Sequence, residues 1–577
     1  MGVRSWRAPA IAIAAAVVVT AGAVVVAGAH DPMPVSASGA TDGALAAGAA
    51  GTGGLAPAVT PAGSARFRPN MVVIVADDLD SSLVKYMPNV QRLRKRGADF
   101  RRHFVVDSLC CSSRAAFLTG MYPHNTKVFN NVTGPDRSNP TGGYAAWLKA
   151  KNDAKTFAYA INRSGGGSYH TGFFGKFINL YQGSPGSAVP AGWNTFNAMS
   201  SSRMYAMWGY PMTSVATSAS GARVVARHFY GTRDRDYSTD VLRRMSVAHI
   251  NRVERAGKPY FVEIAPTATH FRVGKPARKG DNWFPAAPRD LPRKGKKARK
   301  NPRLRYGDCG TKRCERIDVR KLPGFNASRA PSRPRYVDGR LAPMFGTTKK
   351  LPRKQVKAMQ KRYRDRVRMA QSLDDLVGAV MRSVGPDTYI AFTSDNGYHM
   401  GHKRLPSGKS SPYDTDIRVP LIIAGPGVVR GPRYQVVQSI DLASTFEHIA
   451  GRTPSQARDG RSLLPILRNP RASWSRYAFL EHTRPARSVD DPDGEGWTPL
   501  VPSYVAVRSA DKLLVRYDTL GGDPAGYTYE YYRGLTRKGA WERTNTYNPT
   551  DPEILAMRSR IERFKECAGA RCRDLAR

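Results

Sequence analysis

Acidic residues are scarce in this chain: 45 Asp and Glu stand against 90 Lys and Arg, a formal charge of +45 over 577 residues. Such a deficit excludes electrostatic indifference and predicts attraction to polyanions such as nucleic acid, anionic polysaccharide or an acidic cell surface. Compositional drift toward Ala, Gly, Arg and Pro is the competing source of the same excess. Cysteine is scarce too, with six in all. Cys309 and Cys314 form one C-x4-C pair, and Cys567 and Cys572 another, in Gly- and Arg-containing loops. That spacing argues against zinc, which prefers C-x2-C, and predicts local disulfides in an exported protein. No segment repeats, which excludes an array of stacked units. Large apolar side chains are nearly missing from 31–66, an Ala-, Gly-, Ser-, Thr- and Pro-rich stretch expected to be a flexible linker. Elsewhere a hydrophobic content of 41% and eight Trp mark a globular protein with room for one large domain and a smaller one.

The first thirty residues carry an export signal. Arg4 and Arg7 precede an uncharged run from Ala8 to Ala29 that ends in small residues. The run suits a cleaved signal peptide or a retained N-terminal anchor, since roughly 20 residues span a bilayer. Either way the remainder is expected outside the cytoplasm, secreted or at the cell surface, with that anchor as its one membrane contact. Asn70–Ala76 and Tyr389–Thr393 are apolar and β-branched, as is Pro259–Ala265, and each run stops at a polar cluster. Continuous runs of this kind predict strands buried on both faces. Between them Val367–Val384 has apolar residues at helical spacing, so the pattern predicts an α/β sheet with helices, its chemistry collected at strand ends. From about Gly451 shorter alternating strands (477–481, 504–508, 512–517) and a helix near 552–564 predict a smaller C-terminal α+β subdomain over 451–577. Residues 272–357, within a catalytic domain of 67–450, are expected to form an exposed basic insertion that includes the run Arg293–Lys300.

Asp77 and Asp78 follow the first strand, and Asp395 and Asn396 follow another. Paired carboxylates repel unless a cation or proton intervenes, and all-oxygen ligation favours calcium or magnesium. An Asp after a strand also caps helices, and either pair alone is ordinary; the two together favour a metal. Ser108–Gly120 (SLCCSSRAAFLTG) has the look of a helix N-terminus, where a nucleophile meets free backbone N–H groups. Arg114, one turn on, would suit an oxyanion.

This last segment resembles the sulfatase signature C-x-P-S-R-x-x-x-L-T-G, whose first Cys becomes formylglycine. Cys110 holds that place, because Arg114 stands four residues after it. The resemblance runs from about Asn70 to the C-terminus and is nearest to the glucosamine-6-sulfatases and extracellular heparan endosulfatases. Its further blocks are Val73–Asp78, Thr171–Lys176, Ala265–His270, Ser394–His399, Gly408–Pro420 and Asp459–Pro465. Two departures stand out. Ser112 replaces the family's Pro, inside the stretch that the formylglycine-generating enzyme reads before folding. Ile178, with Asn179 beside it, occupies the place where many sulfatases have His.

The resemblance implies an alkaline-phosphatase-like fold and hydrolysis of a sulfate ester, on a sulfated glycan or an aryl sulfate. It implies a formylglycine derived from Cys110 and calcium held by Asp77, Asp78, Cys110, Asp395 and Asn396. Arg114, Lys176 and Lys409 would stabilise sulfate charge, and His270 or Lys409 would protonate the leaving alcohol. His399 and Asn179 would contact substrate, with loop packing the alternative role for His399. Taken singly, the lysines would be surface residues in so basic a chain and His270 an ordinary histidine. An anionic polysaccharide is the expected partner, and nucleic acid is not. The rival readings are a phosphodiesterase or phosphonate hydrolase on the same scaffold, and an inactive polyanion-binding surface protein.

Overall fold

The computed structural model describes residues 68–577 apart from 164–168, 183–188, 218–222, 347, 475, 486–500 and 520–523. The export signal and the linker lie outside the described residues. Among the described residues fifteen strands form, in chain order, β1 (Asn70–Ala76), β2 (Ala98–Phe104), β3 (His170–Gly175), β4 (Thr195–Met199), β5 (Tyr210–Thr217), β6 (Arg223–Tyr230), β7 (Tyr260–Ala265), β8 (Arg335–Tyr336), β9 (Thr388–Ser394), β10 (Leu421–Ala424), β11 (Gly431–Gln438), β12 (Ala478–His482), β13 (Ser503–Arg508), β14 (Leu513–Asp518) and β15 (Tyr527–Tyr532). Ten of them make one mixed sheet in the order β11-β2-β10-β9-β1-β7-β3-β4-β5-β6. Its centre, β9-β1-β7-β3-β4, is parallel. The reason is in β1: Val72, Ile74 and Ala76 pack into one buried cluster and Met71, Val73 and Val75 into another. A strand apolar on both faces needs helices on both sides, as parallel sheets have. The long helices Ser238–Arg255 and Arg353–Ser383 cover the first face, and Cys110–Thr119 and Asp441–Ile449 the second.

Register then brings the polar ends level. Ala76 lies opposite Ser394, and Gly175 opposite Ala265, so Asp77, Asp395 and Lys176 all leave the sheet at one edge. Gly175 is required there: at φ 127° its place for a Cβ is 2.1 Å from the Ala265 carbonyl oxygen.

The second sheet is antiparallel, β12-β13-β14-β15-β8. Val505, Val507, Leu514 and Tyr531 pack under the helix Pro552–Phe564, while Ala506, Leu513 and Val515 pack with Phe104, Tyr413 and Val419. Two features differ from the sequence pattern. The long helix starts at Arg353, since Val356, Met359 and Tyr363 continue its apolar stripe through a highly charged stretch. The segment 272–357 is not simply exposed: Phe284, Ile317, Val319 and Leu351 join the main core, and β8 pairs with β15. Its aromatic and branched residues provide the burial that its charge count conceals. Both C-x4-C pairs close as disulfides, Cys309–Cys314 and Cys567–Cys572.

Candidate active site

Cys110 is the first residue of the helix Cys110–Thr119, which Gly120 ends in the left-handed region at φ 66°. All ten residues of this helix are buried. Its N-terminus faces the carboxyl ends of β1 and β9. Ser113 Oγ donates to the Asp395 carbonyl at 2.5 Å, Arg114 Nε to Asp395 Oδ2 at 2.9 Å, and Arg114 Nη1 to the Lys176 carbonyl at 2.9 Å. Cys110 Sγ therefore sits 3.4 Å from Asp77 Oδ1 and 3.8 Å from Asp78 Oδ1.

Three cations close around these carboxylates. Lys176 Nζ donates to both oxygens of Asp77 at 3.1 and 2.9 Å, and Lys409 Nζ donates to Asp78 Oδ1 at 2.8 Å and Cys110 Sγ at 2.7 Å. Arg114, Lys176 and Lys409 are only 3%, 0% and 3% exposed. Charges so buried are tolerated because each faces an opposite one. Burial opposes the charge on Arg114, but Asp395 and then Asp77 overcome it and its pKa is raised. His270 completes the wall: its Nδ1 lies 2.6 Å from the Phe271 carbonyl and its Nε2 3.5 Å from Asp78 Oδ2. Facing a carbonyl, Nδ1 carries a proton, which leaves Nε2 as the atom that gains or loses one. The Tyr205 ring packs on His270 at 4.3 Å.

Hard-cation chemistry fits this group. Ligand atoms of Asp77, Asp78, Cys110 and His270 all lie within 4.8 Å of one another. Two buried oxygens, Asp78 Oδ2 and Asn396 Oδ1, accept no hydrogen bond, and Asn396 Nδ2 donates to Asp78 Oδ1 at 2.7 Å. Unsatisfied oxygens beside paired carboxylates suit calcium or magnesium. Asp395 is differently engaged: Oδ1 accepts from the Asp78 and Asn396 N–H groups and Oδ2 from Arg114.

His399 belongs to the wall behind Lys409. Its Nδ1 meets Asp416 Oδ2 at 2.8 Å, and Asp416 also accepts from Ser411 N and Oγ. Ser410 N donates to the Ser108 carbonyl, and Ser108 Oγ to that of Ser411, so the Lys409 segment is tied to the approach of Cys110. Asn179 is buried past β3, its carbonyl accepting from Tyr144 N at 2.8 Å. Sequence reasoning missed Arg366, whose guanidinium donates to the Asp78 carbonyl and to Asp80. An arginine inside the apolar stripe of a helix was its only signal. Missed as well was Asp107, which takes the Ser112 hydroxyl on one oxygen and His482 of β12 on the other.

A mixed sheet of this order, with a buried anion-and-cation cluster at the carboxyl ends of its parallel strands, has the alkaline-phosphatase-like fold. The Sulfatase family model matches residues 69–451. N-acetylglucosamine-6-sulfatase of Capra hircus is 30% identical over 548 residues, 89% of this chain and 86% of that protein. The Drosophila melanogaster extracellular sulfatase SULF-1 homolog is 28% identical over 429 residues, 72% of this chain and 33% of that protein. Among solved structures, an enzyme bound to its substrate D-glucosamine-2-N,6-O-disulfate superposes with a TM-score of 0.56 at 18% identity, over 88% of this chain and 98% of that one. The phosphonate monoester hydrolase of Silicibacter pomeroyi does so at 0.53 and 21%, over 86% and 93%, and shares the fold. The chain belongs to the sulfatase family and is a sulfuric ester hydrolase. Among the described residues no helix is long and apolar enough to cross a membrane.

Proposed function

We propose that the chain hydrolyses sulfate esters of an anionic glycan outside the cytoplasm, using a formylglycine made from Cys110 and calcium held by Asp77, Asp78, Asp395 and Asn396. The observation that carries this reading is Cys110 itself, at the buried head of a helix and against Asp77 and Lys409. A formylglycine and calcium would supply a nucleophilic hydroxyl and its polarisation. Every other role falls to the chain's own groups. Arg114, Lys176 and Lys409, all buried, offer N–H donors to the sulfate oxygens away from bulk solvent, where such donors count most. His270, with Nδ1 committed to a carbonyl, holds at Nε2 the proton that a leaving alkoxide needs. Lys409, 2.7 Å from the reacting position, is the second proton holder. Cys110 is fully buried, so its oxidation by a formylglycine-generating enzyme must precede folding.

The N-acetylglucosamine-6-sulfatase relative and the glucosamine-disulfate complex support an amino-sugar sulfate, arylsulfatase relatives keep an aryl sulfate as the second substrate reading, and the extracellular relative agrees with the export signal. The shared phosphonate hydrolase scaffold supports one rival, a phosphorus ester as substrate. Paired aryl sulfate and aryl phosphonate esters separate the two, with chelation followed by separate repletion of calcium and zinc. The reading expects a sulfate preference that calcium restores. A phosphonate preference, or rescue by zinc alone, contradicts it.

A further inference from the structure

We propose that the groove between Glu315–Lys321 and the first three turns of the Arg353–Ser383 helix docks a sulfated polysaccharide. The proposal rests on the sulfated-glycan reading above but uses none of the residues of that site. The groove encloses about 530 Å³. Arg316, Lys321, Lys350, Arg353 and Lys357 line it, all exposed, and none lies within salt-bridge distance of a carboxylate among the described residues. Its two acids are already engaged, Asp318 by Arg320 at 2.9 Å and Glu315 by Arg313 at 2.5 Å. Five like charges around one cavity repel one another, and the fold offsets them only in part, Arg316 acting on Glu315 and Lys321 on Asp318 without an ion pair. Left in water, these cations are free to take a further counter-charge from solution.

The cradle is rigid, unlike a solvated basic tail. Gln360 brackets its floor, Nε2 donating to the Ile317 carbonyl at 2.7 Å and Oε1 accepting from Val319 N at 2.9 Å. Arg364 reaches the Glu315 carbonyl at 2.7 Å, Asn326 Oδ1 accepts from Leu351 N at 2.9 Å, and the Cys309–Cys314 disulfide anchors the strand of chain that leads in. A fixed floor sets the spacing of the backbone that carries these cations, which suits a repeating anion. No aromatic ring lines the groove. Single-stranded nucleic acid is gripped by stacking its bases on aromatic side chains, so a polymer of sulfated sugars fits better than a nucleic acid.

The basic run Arg293–Lys300 makes the control. Lys294, Lys296 and Lys297 are as exposed but line no described groove. Two triple variants carry the same charge change, one in the groove (Lys350→Glu, Arg353→Glu, Lys357→Glu) and one in the run (Lys294→Glu, Lys296→Glu, Lys297→Glu). A milder groove set with Gln guards against misfolding. Heparin is the probe, with double-stranded DNA as the competing polyanion, in binding assays across a salt series. Losing three exposed charge contacts should raise the heparin Kd and the KM on a sulfated polymer about tenfold. It should flatten the salt dependence by roughly 0.7 per contact, leaving aryl sulfate kcat/KM unchanged. The run variant should bind almost as wild type. Equal weakening by the two triples, no weakening by the groove set, or tighter groove-dependent binding of DNA overturns the proposal. Heparin binding is read without turnover, so a protein that fails to cleave any sulfate ester defeats the catalytic reading and still tests the groove.

Discussion

The molecule holds clustered cations in two opposite ways. At the ends of β1, β3 and β9, Arg114, Lys176 and Lys409 are buried and each meets a carboxylate within 2.9 Å. Along the groove of the basic segment, five cations are exposed and none lies within salt-bridge distance of a carboxylate among the described residues. A charge removed from water must have its partner built in, so the first set is fixed by the fold and is intolerant of change. A charge left in water needs no partner, so the second set is free to take one from solution and its effects should yield to salt.

The largest expected effect is at the buried set. Lys409→Ala and His270→Ala should each lower kcat by about 10²-fold or more, the usual scale for losing a general acid or an oxyanion donor. Salt should not restore either. Across aryl sulfates of graded leaving-group quality, the His270→Ala loss should shrink as the leaving group improves. A loss independent of leaving group would reassign His270 to charge stabilisation.

A smaller effect is expected just outside the site. Ser112 Oγ donates to Asp107, which also holds His482. Ser112→Pro removes that hydrogen bond and should cost about 1 kcal/mol of stability. Because Pro restrains the unfolded segment presented to the modifying enzyme, the same variant should raise the fraction of Cys110 converted. Thermal unfolding and peptide mass measurement would read the two opposite shifts.

A pH-dependent effect separates a buried charge with a partner from one poorly served. Glu263 of β7 is pushed up to about 8 by burial, with Arg114 opposing. Its folded pKa lies above the unfolded value of 4.5, so the folded state binds the extra proton. That contribution favours folding at low pH and is lost progressively as pH rises from 4.5 to about 8. Glu263→Gln should abolish this slope in stability against pH. An unchanged slope would show that Arg114 keeps the carboxylate ionised.

Much of this was legible in the sequence because it is local. β1, β7 and β9 announce themselves as apolar runs ending in polar pairs, and the helix Pro552–Phe564 lies where its periodicity put it. The cluster residues lie in blocks whose order is a family signature. What stayed hidden depends on contacts between distant segments. Asp107 meets His482 across 375 positions and Arg366 meets Asp78 across 288, and neither pairing leaves a local pattern. The two-residue β8 is a strand only because β15 lies beside it. The groove was hidden for the same reason: its cations come from either side of a turn in the chain, while the more conspicuous run at 293–300 lines no described groove.

Mass spectrometry of the peptide spanning Ser108–Arg114 tests the central claim most directly. Protein purified in an active state should carry an aldehyde at position 110, reactive with a hydrazide probe, and a thiol at Cys111. An intact thiol at Cys110 in protein that still turns over sulfate esters would contradict the account, since another residue would then be the nucleophile.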